Sequence, residues 1–389
     1  MEKTLRALLK KYPVATLTGP RQSGKTTLSR RVFAGKPYVN LEAPNVRRFA
    51  QEDPEAFLAE NKDGAVFDEI QNTPELLSYL MPIVDDSPRT GRFILTGSRQ
   101  FPLMEGVSQS LAGRTAILRL LPFSLDEIKD ARPNFSTDDW LFTGFYPRIY
   151  EAGLDPSQAH ADYYATCVER DIRQLANLKN LTLFDRFVRL CAGRVGQVLN
   201  LNNLASDTGI SHPTAREWFS LLEAAFIVCA MPPFFSNVSK RLTKSPKLYF
   251  YDTGLAVWLC GVTDVRQLAA HPLRGAFFEN MAVGEVIKHN YNHALNRQIH
   301  FYRDSNCEVD LLWLAGGKLI PVEIKSAQTF STDYGKGIRY FRREFPALCH
   351  ESAIVVYDGT VSRKTSDGIH YCPLGKLATT LLRLDKQDG

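Results

Sequence analysis

An eight-residue stretch near the amino terminus constrains this chain more than any other feature. It follows the pattern G-x-x-x-x-G-K-T and consists of Gly19, Pro20, Arg21, Gln22, Ser23, Gly24, Lys25 and Thr26. A β-prone run, 14–18, precedes it, and a run of helical character, 26–33, follows it. Glycines let backbone N–H groups turn toward phosphate oxygens, and the start of a helix adds a positive dipole. The pattern therefore predicts a phosphate-binding loop between a strand and a helix.

The loop predicts ATP and Mg²⁺ as ligands. Lys25 is expected to reach the β- and γ-phosphates and Thr26 to coordinate Mg²⁺, with the neighbouring Thr27 in the nucleotide-contacting set. A later apolar strand ends in Asp68 and Glu69. In enzymes with such a loop, the first acid holds Mg²⁺ and the second polarises the attacking water.

A third apolar run, 92–98, ends in small polar residues. Parallel sheets bind ligands at the carboxyl ends of their strands, so Thr96 or Ser98 is expected to contact the γ-phosphate or the attacking water. A capping or turn role is the alternative for both side chains. Arg114 is a candidate for an arginine that stabilises γ-phosphate charge in a neighbouring subunit, and an ordinary surface position is the alternative.

Length and composition limit the class of protein. A chain of 389 residues is expected to form two to four domains. The net charge of +5 permits nucleic-acid binding but does not argue for it. Seven scattered cysteines without a C-x-x-C pair indicate free thiols in a reducing cytosol. The longest apolar stretch, 221–235, is broken by Glu223 and two prolines, and the amino terminus lacks a signal-peptide run. We expect a cytoplasmic protein without a membrane span.

Four motifs in order resemble one family. They are Gly19–Thr26, Phe67–Gln71, Leu95–Ser98 and Leu111–Arg114. Together they resemble the prokaryotic AAA-type ATPases whose members carry a C-terminal domain of uncharacterised function. Residues 145–148 resemble a further motif of that family, with Phe145 in place of its second glycine. The resemblance implies an AAA-type core over 1–128, then a helical segment over 129–194. It also implies a homo-oligomer, because AAA-type cores usually close into rings.

Residues 195–262 have the pattern of a winged helix. Two short helical runs flank Gly209, and two β-prone runs, 226–230 and 247–251, follow them. Basic residues lie between or at the start of these strands: Lys240, Arg241, Lys244 and Lys247. Such residues suit contacts with DNA phosphates. The alternative is a winged helix used for packing or subunit contacts.

Residues 263–389 predict the element order α-β-β-β-α-β. Strand side chains alternate between faces, so Glu323 and Lys325 project to one side, where Asp310 of the neighbouring strand can join them. This set resembles the PD-(D/E)xK motif of the restriction-endonuclease-like fold. Glu279 or Glu285 on the preceding helix would complete it. The two lie on different helix faces, and Glu279 is favoured because residues 275–280 match the family's helix motif.

The resemblance implies a definite chemistry for these four residues. Asp310, Glu323 and Glu279 would supply hard oxygen ligands to Mg²⁺, which polarises a scissile phosphate. Lys325 would position the attacking water or stabilise developing charge. The same fold also occurs in inactive relatives that retain acids for packing or ion pairs.

The sequence therefore predicts an α/β protein with a P-loop AAA-type core, a helical segment, a winged helix and a nuclease-like C-terminal domain. The expected function is ATP binding and hydrolysis coupled to action on DNA. One alternative is an ATP-regulated, Mg²⁺-dependent DNA nuclease. Another is a regulatory or scaffold ATPase that acts on a protein partner and carries an inactive nuclease fold.

Overall fold

The chain divides into two compact units. The computed structural model describes residues 1–98, 107, 110–168, 180–235 and 244–385. The first unit comprises 1–122, 224–226 and 291–295. The second comprises 123–223, 227–290 and 296–389.

The first unit is built on a five-stranded parallel sheet. Its strands are β1 (Val14–Thr18), β2 (Tyr38–Asn40), β3 (Val66–Asp68), β4 (Phe93–Gly97) and β5 (Thr115–Arg119). Their spatial order is β2-β3-β4-β1-β5, which inserts β4 between β1 and β3. Because the strands are parallel, the glycine-rich loop after β1 and the acids after β3 emerge at the same edge.

Helices cover both faces of this sheet. They are α1 (Glu2–Leu9), α2 (Lys25–Val32), α3 (Pro44–Glu52), α4 (Pro54–Glu60) and α5 (Leu76–Asp85), with a 3-10 turn at Ile70–Asn72. Alternate strand residues enter two different apolar clusters. Phe93 and Leu95 pack with α3, α4 and α5, whereas Ile94 packs with α1 and α2. The near-continuous apolar strands are therefore buried on both sides, as expected for a parallel sheet.

The second unit begins with helices. Those before its first strand are α6 (Leu125–Ile128), α7 (Thr137–Thr143), α8 (Pro147–Ala152), α9 (Pro156–Tyr163), α10 (Leu181–Ala192), α11 (Leu201–Thr208) and α12 (His212–Ala224). A 3-10 turn at Lys129–Ala131 and a π-helical turn at Tyr164–Val168 accompany them. Residues 169–173, a charged run within the predicted helical segment, lie outside the described residues. No helix among the described ranges has both the length and the apolarity to cross a bilayer.

A short antiparallel pair follows these helices. Strands β6 (Val228–Met231) and β7 (Lys247–Phe250) pair, and α13 (Thr253–Leu259) comes directly after β7. Asp252 caps α13 by accepting from Leu255 N at 2.9 Å, and its other oxygen accepts from Phe145 N at 2.7 Å. Gly144 has a φ of +67°, and a Cβ there would lie 2.5 Å from Asp252 Oδ1. One carboxylate thus ties the family-like segment at 145–148 to the start of α13.

The C-terminal part is a six-stranded mixed sheet with order β12-β13-β11-β10-β9-β8. Its strands are β8 (Ile299–Arg303), β9 (Glu308–Ala315), β10 (Lys318–Lys325), β11 (Ala353–Tyr357), β12 (Arg363–Lys364) and β13 (Ile369–Pro373). Its helices are α14 (Arg274–Asn292), α15 (Lys336–Glu344) and α16 (Leu377–Asp385), with 3-10 turns at Val265–Ala270, Thr332–Gly335 and Leu374–Lys376. The order α-β-β-β-α-β is present from α14 to β11. Strands β12 and β13 and helix α16 were not predicted.

Candidate functional site

The glycine-rich loop connects β1 to α2 in the way its sequence predicts. Gly24 has a φ of +92° and immediately precedes the first helical residue, Lys25. Gly19 has a φ of +147°, and a Cβ there would lie 2.0 Å from Leu120 O. Only glycine fits this approach, because any side chain would collide with the backbone beyond β5. The loop is therefore held against the sheet edge at one end and against the helix at the other.

Lys25 is folded into its own loop. Its Nζ donates to Gly19 O at 2.9 Å and to Pro20 O at 2.7 Å, and the residue is 5% exposed. Ser23 Oγ is buried and has no hydrogen-bond partner among the described residues. A buried hydroxyl without a partner usually indicates a missing ligand or water. The loop therefore fits a nucleotide phosphate.

The Asp68 carboxylate accepts hydrogen bonds from hydroxyl groups on three different elements. Its Oδ2 accepts from Thr26 Oγ1 at 2.9 Å and from Tyr38 Oη at 2.5 Å, and its Oδ1 accepts from Thr96 Oγ1. Burial, followed by the hydrogen bond to Asp68, raises the pKa of Tyr38 well above its usual value. Adjacent hydroxyl and carboxylate oxygens suit Mg²⁺, so Thr26 and Asp68 fit the ion that the loop implies. Sequence reasoning missed Tyr38. This residue lies on β2, two positions before Asn40, which is the cross-strand neighbour of Asp68.

Glu69 follows Asp68 in a left-handed conformation, with φ of +59°. This turn separates the two acids, and Glu69 N donates to Thr96 Oγ1 at 3.3 Å. The Glu69 carboxylate accepts from Ser98 Oγ at 3.0 Å and from Gln71 Nε2. Strand β4 therefore places Thr96 against Asp68 and Ser98 against Glu69. The structure brings these predicted residues together through the carboxylates.

Arg114 lies away from this centre. Arg114 directly precedes β5, about 16 Å from the carboxyl ends of the strands, and forms a two-point ion pair with Asp85 at 2.5 and 2.7 Å. This pair lowers the pKa of Asp85 below its usual value. Arg21 Nη1 lies 3.7 Å from Glu42 Oε1, and Thr27 is exposed on α2. Within its own subunit, Arg114 is therefore remote from the phosphate-binding loop.

The C-terminal part assembles the four residues predicted there. Asp310 on β9 accepts from Ile324 N at 2.8 Å, which places it beside Glu323. Lys325 Nζ lies 2.5 Å from Glu323 Oε1. Glu279, from α14, reaches the same group through the residues described next. We call Glu279, Glu308, Asp310 and Glu323 the acid cluster.

Lys247 enters the acid cluster from strand β7. Its Nζ lies 3.0 Å from Glu279 Oε1, 2.5 Å from Glu308 Oε1 and 3.8 Å from Asp310 Oδ1. Its side chain is 3% exposed. Tyr249, two residues along the same strand, donates to Glu279 Oε1 at 2.6 Å. The prediction that Lys247 contacts DNA phosphates was wrong, because its ammonium is buried among carboxylates. Lys240 and Arg241 lie outside the described residues.

Burial and mutual repulsion shift the pKa values of the acid cluster. Desolvation, and then the charge of Asp310, raise the pKa of Glu323 to about 8. The same two causes raise the pKa of Glu279. Burial lowers the pKa of Lys247, but the charges of the surrounding carboxylates raise it by more. The Lys247 ammonium is therefore firmly charged, whereas these two carboxyl groups are less easily ionised than free ones.

The acid cluster does not fit the Mg²⁺ ion that the resemblance implies. Among the described residues, no group of three or more His, Cys, Asp or Glu side chains is arranged to hold a metal. Lys247 instead puts a buried positive charge among Glu279, Glu308 and Asp310. Glu285 takes no part, since it accepts from Leu125 N at 2.8 Å and pairs with Lys288 at 2.9 Å. The choice of Glu279 over Glu285 agrees with this placement.

A second charged feature is a cavity of about 610 Å³ in the C-terminal part. Its basic lining residues are Lys129, Arg363, Lys364, His370, Lys376 and Arg383, and the described lining contains no acid. Burial, followed by the charges of Lys364 and Arg383, lowers the pKa of His370 to about 4. Lys129 also pairs with Asp126 at 2.5 Å. Sequence reasoning missed this site because its residues come from separate parts of the chain.

Family models match three successive parts of the chain. A model described as an AAA domain matches residues 11–129. Two domains of unknown function follow, DUF8612 at 134–266 and DUF4143 at 274–377. The first match contains the glycine-rich loop, Asp68, Glu69 and Arg114. All four residues of the acid cluster lie in the third match, whereas Lys247 lies in the second.

Similar proteins cover nearly the whole chain. The uncharacterized protein Rv2008c of Mycobacterium tuberculosis is 31% identical over 378 residues, which are 97% of this chain and 83% of that protein. An uncharacterized protein of Mycobacterium bovis matches to the same extent.

Solved structures are more distant. A Walker-type ATPase of Pyrococcus abyssi is 16% identical and covers 66% of this chain and 94% of its own, with a TM-score of 0.45. A chain of the Drosophila ORC bound to DNA is 13% identical. It covers 67% of this chain and 86% of its own, with a TM-score of 0.24. The assignment therefore rests on the sequence matches and the loop geometry. The chain belongs to a family of P-loop AAA-type ATPases in which two domains of unknown function follow the AAA domain.

Proposed function

We propose that this chain hydrolyses ATP and couples the nucleotide state to action on DNA. The observation that carries the ATPase part is the convergence of the Lys25 loop, Thr26, Asp68 and Glu69 at one sheet edge. Thr26 and Asp68 would hold Mg²⁺, which when bound neutralises charge on the phosphates. Lys25 exchanges the carbonyls of its loop for phosphate oxygens.

Glu69 is the proposed base of this reaction. Its left-handed backbone turns its carboxylate away from Asp68 and toward Ser98. In that position the Glu69 carboxylate orients a water molecule toward the γ-phosphate and accepts its proton. We assign Arg114, which pairs with Asp85 away from the loop of its own subunit, to the nucleotide of a neighbouring subunit in a homo-oligomer.

Three variants test the ATPase assignment. Lys25→Ala removes a charged hydrogen-bond donor, so ATP binding should weaken about 10- to 100-fold. Glu69→Gln should retain ATP binding and lose about 100-fold or more in turnover. Lys10→Ala, at an exposed position after α1, is the matched control and should change neither quantity. Isothermal titration and phosphate-release assays measure both quantities. Normal turnover by Lys25→Ala would remove the assignment.

The basic cavity supports the DNA part of the proposal. Five lysine and arginine side chains surround it without an acid in the described lining, which favours a phosphate-rich ligand. The element order α11-α12-β6-β7 also supports a winged helix over 195–262, with Arg216 exposed on α12. The limits of two family matches, at 129 and 266, support the proposed domain boundaries near residues 128 and 262.

DNA binding is tested by reversing charge at the cavity. The Arg363→Glu/Lys364→Glu double variant should weaken DNA binding and make the slope of log affinity against log salt shallower by about 2. Lys10→Glu/Lys11→Glu is a charge-reversed control at an exposed site of the first unit. Equal DNA affinity for the wild type and the cavity variant would refute this surface as the contact.

Two other functions follow from the acid cluster. The assembly of Glu279, Asp310, Glu323 and Lys325 supports a nuclease-like fold for 263–389, and hence an ATP-regulated nuclease. In that case Glu323→Ala should abolish DNA nicking and leave ATP hydrolysis intact. The Lys247 ammonium within the cluster instead favours an inactive nuclease fold and a protein partner. DNA would then stimulate ATP turnover no better than heparin does.

A further inference from the structure

We propose that Lys247 is an internal cation that closes the acid cluster to metal ions, and that the cluster binds a divalent cation only when this ammonium is withdrawn. The inference concerns the nuclease-like candidate function and rests on the geometry of the second unit alone. It requires neither ATP hydrolysis nor DNA binding, so it can fail or succeed independently of both.

The first argument is the position of the ammonium. Lys247 Nζ contacts Glu279 at 3.0 Å and Glu308 at 2.5 Å, and it lies 3.8 Å from Asp310. These carboxylates come from α14 and β9, so one cation draws together two elements that would otherwise repel each other. A buried lysine must be paired in this way to stay charged. Lys247 thus performs the electrostatic task that a bound metal ion would perform.

The second argument is a carboxylate oxygen of Glu323 that has no hydrogen-bond donor in this arrangement. Glu323 Oε2 is buried and has no hydrogen-bond partner among the described residues, and the Glu323 side chain is 9% exposed. Its other oxygen, Oε1, is held by Lys325 at 2.5 Å. A buried carboxylate oxygen without a donor is costly and usually indicates a ligand that is not in place. The cluster therefore retains an unused ligand atom for a hard cation.

The third argument is the balance of charge. The acid cluster has four carboxylates, whereas Lys247, Lys325 and Arg303, whose Nε lies 3.4 Å from Glu308 Oε2, supply three positive charges. Removal of the Lys247 charge would leave Lys325 and the more exposed Arg303 as the remaining cations of this group. The carboxylates would then either take up protons or bind a cation with hard oxygen preference. A divalent ion such as Mg²⁺ or Mn²⁺ meets this need.

The ammonium comes from outside the C-terminal sheet. Strand β7 pairs with β6, and it contacts α14 through Tyr249 and through Phe250, whose N–H donates to Asn280 at 2.7 Å. A ligand that moved β7 away from α14 would withdraw Lys247 and Tyr249 from Glu279 together. The closing group and the acid cluster thus lie on different elements of the second unit, and opening would move β7 together with β6 and the 196–199 segment that is bonded to it.

The test is the binding of Mn²⁺ to the nucleotide-free protein. Two measurements detect this binding: isothermal titration and the rise in melting temperature with added Mn²⁺. The variants are Lys247→Met, which removes the charge, and Lys247→Arg, which keeps it. Lys247→Met should gain one Mn²⁺ site at least about tenfold tighter than any in the wild type. Lys247→Arg should resemble the wild type. Adding Asp310→Asn to Lys247→Met should abolish the gained site.

A folding defect need not end the test. The Lys247→Met/Glu308→Gln double variant removes one positive and one negative charge, and it keeps Glu279, Asp310 and Glu323 for the metal. A cooperative melting transition and an unchanged far-ultraviolet circular dichroism spectrum show that either variant is folded. The proposal is overturned if neither variant gains a site that Asp310→Asn abolishes. It is also overturned if the wild type already binds Mn²⁺ there as tightly as Lys247→Met does.

Discussion

Asn280 provides a sharp test of the packing around the acid cluster. It is 1% exposed on α14. Its Oδ1 accepts from Phe250 N at 2.7 Å, and its Nδ2 donates to Phe250 O at 3.1 Å and to Thr253 Oγ1 at 2.8 Å. One side chain therefore satisfies both backbone groups of a strand residue that is itself buried.

The cost of Asn280→Ala follows from these contacts. Three hydrogen bonds contribute about 1 kcal/mol each in net terms. The Phe250 N–H and C=O would also lose their Asn280 partner in a buried site, at about 1–3 kcal/mol for each group left unpaired. The two estimates overlap, so the expected loss in unfolding free energy is about 3–5 kcal/mol. Asn280→Asp keeps an acceptor for Phe250 N but replaces the Nδ2 donor with a second oxygen that faces Phe250 O, so it should cost at least as much.

Differential scanning calorimetry measures this loss. For a unit of this size, the melting temperature of the second unit should fall by roughly 10 °C. Asn202→Ala, at an exposed position of α11, is the control and should stay within about 0.5 kcal/mol of the wild type. A shift below about 2 °C for Asn280→Ala would refute the reasoning, since it would mean that other groups or water replace all three bonds.

Three further predictions concern separate sites. Ser98→Ala releases the Glu69 carboxylate, so ATP turnover should fall about tenfold or more while ATP affinity changes little; an equal loss of both would contradict a positioning role. The pKa of His370 is lowered from 6.5 to about 4, so the unfolded chain binds the extra proton between these values, and stability should fall as pH falls from 6.5 to 4. His370→Gln should flatten this part of a melting-temperature profile, and an unchanged profile would contradict the assignment. Gly144→Ala should destabilise the second unit, because φ is +67° and the new Cβ would meet the Asp252 carboxylate. Gly284→Ala, in a helix and with open space around the new Cβ, should instead stabilise the unit by about 0.5–1 kcal/mol. Equal effects of the two variants on the melting temperature would refute the distinction.

The loop and its two acids were predictable because their chemistry is local. Gly19 and Gly24 permit the turns, and Asp68 and Glu69 follow an apolar strand that must be parallel to β1. Tyr38 was not predictable. It reaches Asp68 because β2 lies beside β3, and strand order is a property of the whole sheet.

The part of the acid cluster that depends on local sequence was predicted, and the rest was not. Alternation along β10 puts Glu323 and Lys325 on one side, and Asp310 follows from an antiparallel neighbour. Lys247 was assigned to DNA phosphates together with the other basic residues near the two predicted wing strands, and lysines are rarely buried as this one is. Its true partner, Glu279, is 32 residues away on a helix whose rotation the sequence leaves open. Short strands such as β12 and the distant residues of the basic cavity carry no local signal either.

The Lys25 side chain has a consequence for how quickly nucleotide enters. By bonding to the carbonyls of Gly19 and Pro20, it holds the loop in an open ring without help from phosphate. Capture of a nucleotide then requires one ammonium group to change partners, a side-chain event on the picosecond to nanosecond scale. Because little chain entropy remains to be lost on capture, we expect diffusion, and not loop ordering, to limit the rate of association.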